Sequence, residues 1–218
     1  MHHATRDRRL PLRPHRRPLR LLAIAASLLV VAVLPVAQTH AQATGRPGDF
    51  GMIYTQERVK FVGSAPTDFF YLRGATLDLS YSLWKGIGVS GTGTGLAATN
   101  VRGDIDFQHI QFLVGPRYTF NLGRITETTW ARRGGIFAEG KVGYTIAPAG
   151  YYPSNGVLQT HASSLTYYGG GGINITLYHR FDLRIIDAGI VRTMLPNGST
   201  NIQNTLRLAS GVNFHLGP

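Results

Sequence analysis

From Asn204 to Gly217 the chain alternates apolar and polar residues with a period of two. Leu206, Leu208, Ser210, Val212, Phe214 and Leu216 fall on one face, and Thr205, Arg207, Ala209, Gly211, Asn213 and His215 on the other. This is the pattern of a strand with an apolar side and a wet side. The segment exceeds the about five or six residues usual for soluble strands. It suits a membrane-crossing strand, which needs about nine to eleven tilted residues.

The alternation recurs upstream and predicts eight strands. The first runs from Asp49 to Val62, with a poorly marked apolar side. Ser64 to Asp68 has the composition of a turn. The second, Phe69 to Leu83, sets Ala75, Leu77, Leu79 and Tyr81 against Thr76, Asp78, Ser80 and Ser82. The third, Ile87 to Ala97, is rich in glycine. Thr99 to Asp106 is polar and reads as a loop. The fourth sets Ile110, Phe112, Val114, Pro116, Tyr118 and Phe120 against Gln111, Leu113, Gly115, Arg117, Thr119 and Asn121. Pro116 lacks a ladder donor, which predicts a bulge or an unpaired position.

The fifth strand, Gly134 to Ile146, alternates Ile136, Ala138, Gly140, Val142 and Tyr144 with Phe137, Glu139, Lys141, Gly143 and Thr145. Ala147 to Thr160 reads as a loop. The sixth spans Ser163 to Leu177. The seventh, Phe181 to Thr193, loses phase at Ile185-Ile186, where a β-bulge would turn Asp187 inward. Pro196 to Ser199 makes the last turn before the eighth strand.

Short connections (Trp84 to Gly86, Tyr178 to Arg180) alternate with long ones (Thr99 to Asp106, Ala147 to Thr160). Short periplasmic turns and longer external loops are the plan of an outer-membrane barrel. Asn121 to Arg133 departs from it, being long on the periplasmic side. Trp84, Phe120, Trp130, Tyr178, Phe181 and Phe214 all fall near that side, as an aromatic girdle would. The predicted fold is an all-β, eight-stranded antiparallel up-and-down transmembrane β-barrel over residues 44–218.

The N-terminus changes how charge is read. Seven arginines between Arg6 and Arg20 precede an apolar run from Leu21 to Val36 and the small-x-small site Ala41-Gln42-Ala43. This is the layout of a secretory signal peptide over residues 1–43. The run is short for a helical span and Pro35 interrupts it. The whole chain is +11; the leader holds seven Arg and one Asp, or +6, leaving +5. No clustered basic patch of the kind nucleic acid requires remains. The chain has no cysteine, and all 27 glycines lie after residue 43.

Seven charged residues point inward in this register: Asp78, Arg117, Glu139, Lys141, Arg184, Asp187 and Arg207. An eight-stranded barrel is just wide enough for side chains to fill. Charges there must be paired and hydrogen-bonded. A salt-bridged plug is the favoured reading; a gated polar path is the alternative.

The segments Phe112 to Tyr118, Phe137-Ala138-Glu139-Gly140, Gly170-Gly171-Gly172-Ile173, Leu183 to Asp187 and Asn204 to Gly211 carry a resemblance. The chain resembles the OmpA-like eight-stranded outer-membrane barrel proteins, as a stand-alone barrel with no peptidoglycan-binding domain after the eighth strand. The resemblance implies a monomer in the outer membrane of a Gram-negative cell. Its partners would be outer-membrane lipid and lipopolysaccharide, with the barrel assembly machinery during insertion. Such barrels usually end on an aromatic residue that this machinery reads; here Phe214 is followed by His215-Leu216-Gly217-Pro218.

The resemblance is nearly silent about activity. The expected role is structural or surface-interacting, with a narrow porin-like channel as the alternative and a lipid A acylhydrolase behind it. The acylhydrolases resemble one another in a His-x-Ser-Asn signature. Tyr152-Pro153-Ser154-Asn155 lacks the histidine, and a serine nucleophile needs a base in reach. Ser154 reads as part of a turn. His109, His161, His179 and His215 stand apart in sequence, without the grouping a zinc site needs. Gly91-Thr92-Gly93-Thr94-Gly95 lacks the Lys-Ser/Thr of a phosphate loop. No catalytic residue, metal or cofactor is predicted. A soluble lipocalin-like barrel would place the apolar face inside, against the inward charges.

Overall fold

Period-two alternation folds here into ten strands. A computed structural model describes residues 48–61, 68–101, 105–122, 133–154, 157–178 and 180–216. The strands are β1 (Gly48–Lys60), β2 (Phe69–Trp84), β3 (Ile87–Val101), β4 (Ile105–Asn121), β5 (Gly134–Ala149), β6 (Tyr152–Ser154), β7 (Val157–Gln159), β8 (Ala162–Tyr178), β9 (Phe181–Thr193) and β10 (Gln203–Leu216). Eight of them close an antiparallel barrel in the order β1-β10-β9-β8-β5-β4-β3-β2. The seam pairs β1 with β10 from Gly48↔Leu216 to Arg58↔Leu206. The expected leader, residues 1–43, lies outside the described residues.

The side chains sort by parity as the alternation requires. Thr76 and Asp78 on β2, Leu113 and Arg117 on β4, Phe137 and Glu139 on β5, and Thr205 and Arg207 on β10 are buried within. Val114, Val142, Tyr144, Ile190, Leu206 and Leu208 are exposed on the outer wall. The barrel is thus apolar outside and largely polar inside, the inverse of a soluble barrel.

One end holds Gly48, Leu216 and the tight turns and is called here the turn end. The other is the loop end. At the turn end Lys85 (φ 46°) and Gly86 (φ 88°) join β2 to β3. Two consecutive positive φ values make a type I′ hairpin, whose twist matches that of its strands.

Two sequence expectations change and a third is resolved. Thr99 to Asp106 is mostly strand rather than loop: β3 and β4 extend until Val101 opposes Ile105. The loop after β5 carries a hairpin of its own, β6 paired to β7 from Tyr152↔Gln159 to Ser154↔Val157. Of the two alternatives at Pro116 the unpaired position holds: the β4–β5 ladder passes from Val114↔Val142 to Arg117↔Glu139 without a bulge and without pairing Pro116. A bulge does occur in β9. Ile173 opposes Ile186 while Asn174 opposes Arg184, leaving Ile185 as the extra residue. Arg184 and Asp187 are consequently both buried.

Candidate functional site

The lumen is the candidate site, and its middle is built from charge. Arg117 on β4 pairs with Glu139 of the neighbouring β5 (Nη2–Oε2 2.6 Å) and reaches Asp78 on β2 (Nη2–Oδ2 2.6 Å). Lys141 Nζ lies 2.5 Å from Glu139 Oε1. From the opposite wall Arg184 donates to the same Asp78 Oδ2 at 2.8 Å and to Asp187 Oδ2 at 3.3 Å. The Tyr168 hydroxyl donates to Asp187 Oδ1 at 2.7 Å. A continuous network therefore runs from Lys141 across the lumen through Asp78 and Arg184 and returns to Tyr168, the register partner of Lys141 on β8.

A second network lies beside it. Arg207 on β10 is bound to Glu57 on β1 (Nη2–Oε1 2.5 Å). It also donates to Gln111 on β4, and Gln111 Nε2 donates to Glu57 Oε1 at 3.3 Å. The structure thus brings together all seven charged residues singled out in the sequence, in two groups. It adds Glu57, Gln111 and Tyr168, which sequence reasoning left out of the network. Gln111 stood on the polar face of the fourth strand. Glu57 carried no signal, since its strand showed no clear apolar side.

The networks are balanced: Arg117, Lys141, Arg184 and Arg207 face Glu57, Asp78, Glu139 and Asp187. That balance, with hydrogen bonds to most oxygens, is what makes buried charge tolerable. Two aromatic rings fill the space between. Phe137 lies under both Arg117 (Cζ to ring centroid 4.8 Å) and Arg184 (4.6 Å). Tyr168 lies under Arg207 at 5.2 Å and Lys141 at 5.5 Å. These cation–π contacts are strongest where water is excluded. Glycines make room for the rings. A Cβ on Gly172 would meet Phe137 Cζ at 2.8 Å, and one on Gly189 would meet Tyr168 Cε2 at 2.5 Å. The glycine run from Gly169 to Gly172 is therefore partly a seat for side chains and not a phosphate loop.

Little space is left. A cavity bordered by Thr55, Glu139, Lys141, Arg184 and Arg207 measures about 10 Å³, room for roughly one water. Around the charges, hydroxyls bridge neighbouring strands: Thr55 to Thr76 at 2.7 Å, Thr76 to Thr94 at 2.9 Å and Thr145 to Thr166 at 2.6 Å.

Toward the loop end the lumen turns apolar. Val59, Leu72, Leu96 and Phe107 form a buried cluster, with Phe61, Phe70 and Tyr151 packed on it. The rings of Phe70 and Phe107 are 4.8 Å apart. The β6–β7 hairpin adds Tyr152, whose hydroxyl lies 3.0 Å from His109 Nε2. Burial pushes the Tyr152 phenol pKa up, because the charged phenolate is disfavoured away from water.

Two histidines expected to be isolated have partners. His109 meets Tyr152. At the turn end His215 sits between two carboxylates, Nδ1 to Asp49 Oδ1 at 2.5 Å and Nε2 to Asp182 Oδ1 at 2.9 Å, clasping β1, β9 and β10. Among the described residues no group of three or more His, Cys, Asp or Glu is arranged to hold a metal ion. Ser154 pairs with Val157 in the hairpin, while His109 spends Nε2 on Tyr152.

Of the girdle residues, Trp84, Tyr178 and Phe181 are exposed at the turn end. Phe120 stands at the turn end of β4, and Phe214 packs edge-on against Phe181 with centroids 4.8 Å apart. Trp130 lies outside the described residues.

No protein-family model matches the chain, and no curated protein matches it. Solved structures do. Neisserial surface protein A matches with a TM-score of 0.54 and 12% identity, over 78% of this chain and 97% of that one. Ail, the attachment invasion locus protein of Yersinia pestis, gives a TM-score of 0.49 and 20% identity, over 78% and 99%. The N-terminal β-barrel domain of Pseudomonas aeruginosa OprF gives 0.43 and 10%, over 79% and 100%. At these identities the likeness is one of fold.

Proposed function

We propose that this chain, which has the fold of the eight-stranded outer-membrane barrels, spans the outer membrane of a Gram-negative cell as a monomer with a sealed lumen. Its role is structural or surface-interacting. It is exported by the leader of residues 1–43, which is then removed, inserted by the barrel assembly machinery, and held in lipid and lipopolysaccharide by its apolar outer wall. The turn end faces the periplasm, and the loop end, with the β6–β7 hairpin, faces outward.

The observation that carries this reading is the lumen itself. Four cations and four anions are locked in ion pairs around Phe137 and Tyr168, and the cavity among them measures about 10 Å³. An ion entering would have to displace a charge-assisted hydrogen bond at every step. The apolar cluster at the loop end adds a second barrier.

Two measurements test it. The protein extracted from outer-membrane fractions should migrate faster before boiling than after, as a closed barrel does. In planar bilayers it should show no stepwise conductance. Stepped conductance altered by Glu139→Gln or Lys141→Gln would replace the sealed barrel with a narrow channel.

A further inference from the structure

The outer wall carries an asymmetry that a sealed lumen does not explain. Arg58 and Lys60 on β1, Arg73 on β2 and Arg192 on β9 all point outward and are exposed near the loop end. The four strands β9-β10-β1-β2 are contiguous in the barrel. Among the described residues their outward loop-end faces hold no carboxylate, since Glu57, Asp78 and Asp187 are buried inside and Asp49 and Asp182 flank His215 at the turn end. The other half of the wall has the reverse character. Its outward loop-end positions include Asp106 and Gln108 on β4 and Ser163 on β8, with no cation among the described residues. None of the four cations has an ion pair among the described residues.

The pairing places these cations together. Arg58 opposes Tyr71 on β2 and Leu206 on β10, and Arg73 opposes Gln56. Leu206 opposes Ile190, and Asn204 opposes Arg192. With strands about 4.8 Å apart and a rise of about 3.3 Å per residue, Arg58 and Arg192, offset by two residues across β10, stand about 12 Å apart. Arg58 is also held in place: its guanidinium carbon lies 3.4 Å from the centroid of the Phe69 ring. Stacking leaves the in-plane N–H donors free, and a planar guanidinium matches phosphate oxygens in a bidentate fashion. Directly below, toward mid-wall, are exposed apolar side chains such as Met52, Tyr54 and Leu208.

From this geometry we infer that β9-β10-β1-β2 form a binding site for the phosphorylated headgroup of an outer-leaflet glycolipid of the lipid A type. The site rests on the membrane reading above and names its lipid partner. The cations receive the phosphates while the apolar wall beneath receives the acyl chains. A free phosphate offers the same oxygens but gains nothing from that wall. Among the described residues the loop end of the opposite half offers no cation to a phosphate, so the protein binds such lipid on the β9-β10-β1-β2 side.

Native mass spectrometry of the detergent-extracted protein with bisphosphorylated lipid A tests the site. The wild type should retain the lipid, and the variant R58Q/K60Q/R73Q/R192Q should bind it roughly a hundredfold more weakly, since each cation at a membrane surface contributes to anionic-lipid binding. Variant K85Q/R180Q, which removes turn-end cations, should retain it as the wild type does. Lipid A stripped of phosphate should be lost, and millimolar inorganic phosphate should not displace the intact lipid. Equal retention of the dephosphorylated lipid, undiminished binding by the fourfold variant, or displacement by inorganic phosphate would overturn the inference. The boiling-dependent gel shift of each variant separates the two claims. A shifted band without lipid retention overturns the binding site alone, whereas absence of the shift in the wild type overturns the membrane barrel itself.

Discussion

Glu57 and Arg207, 150 residues apart in the chain, face each other across the seam where the barrel closes, with Nη2 and Oε1 at 2.5 Å. They are also register partners in the β1–β10 ladder. The last strand thus finds the first through a buried charge pair as well as through backbone hydrogen bonds. Gln111 reaches the same pair from the far wall and fixes it from a third strand.

Removing one member of this pair should be far worse than removing both. Glu57→Gln leaves the Arg207 guanidinium buried without its carboxylate, and breaking a buried pair this way costs about 3–5 kcal/mol. The double variant Glu57→Leu/Arg207→Leu removes the uncompensated charge and should recover most of that loss. Urea midpoints of the barrel in lipid vesicles, read from the gel shift, give the comparison. A single variant as stable as the wild type would remove the pair from the account of seam closure.

How far the barrel was legible depends on which face spoke. On β4, β5 and β10 the outer wall is apolar and the inner one polar, so the period-two pattern named both the strands and the inward charges. On β1 the two faces cross over. Ile53 and Val59 are apolar yet inward, while Gln56 and Arg58 are polar yet outward. Glu57 was hidden for that reason. The polar ends of β3 and β4 read as loop because pairing beyond an apolar wall needs no apolar residue. The β6–β7 hairpin was masked by Pro153, Asn155 and Gly156, whose turn composition left arms of only three residues each. The apolar mouth at the loop end comes from Val59, Leu72, Leu96 and Phe107 on four strands, a grouping that only barrel closure assembles.

Glycine within the wall has two distinct uses, and alanine substitution separates them. Gly172→Ala places a Cβ 2.1 Å from the Ile186 carbonyl oxygen and 2.8 Å from Phe137 Cζ. Either the β8–β9 ladder or the ring seated between Arg117 and Arg184 must move. Overpacking of this sort costs typically about 1–3 kcal/mol. Gly140→Ala meets nothing within 4 Å and should leave the urea midpoint unchanged. Equal midpoints for the two variants would contradict the seating of Phe137.

The β6–β7 hairpin is latched by Tyr152, which is 2% exposed and hydrogen-bonded to His109. His109 Nδ1 has no partner among the described residues, so Tyr152→Phe would leave both ring nitrogens of a buried imidazole unpaired. An unsatisfied buried polar group costs about 1–3 kcal/mol. Hydrogen exchange in β6 and β7 should quicken accordingly, while exchange in β4 and β5 stays slow.

The same latch has a predictable response to base. The phenol pKa is raised in the folded hairpin, so the folded state holds its proton more tightly than the unfolded one. The contribution is complete below the ordinary tyrosine value of about 10 and declines as pH rises beyond it toward the folded value. Ultraviolet titration of Tyr152→Phe should show one late-ionising tyrosine fewer than that of the wild type. Opening of the hairpin below pH 9 in the wild type would contradict this assignment.

The bulge at Ile185 yields the most discriminating test of register. Arg184 and Asp187 both point inward because one extra residue lies between positions that would otherwise alternate. Deleting Ile185 therefore preserves the inward set: Arg184 in, Ile186 out, Asp187 in. It also brings the pairings with β8 and β10 into single registers, since Ile173↔Ile186 with Asn174↔Arg184, and Ala209↔Asp187 with Gly211↔Arg184, differ by that one residue. Deleting Ile190, in the regular part of β9, shifts the strand by one and turns one side of it over. Either Arg184 and Asp187 move to the outer wall, or Val191 and Thr193 do. A charge on the lipid-facing side of a barrel costs about 2–4 kcal/mol near the membrane centre. The Ile185 deletion should keep its gel shift on boiling, with a loss confined to the Arg184–Asp187 contact, and the Ile190 deletion should not fold into a shifting band. If both deletions behave alike, the inward placement of Asp187 owes nothing to the bulge.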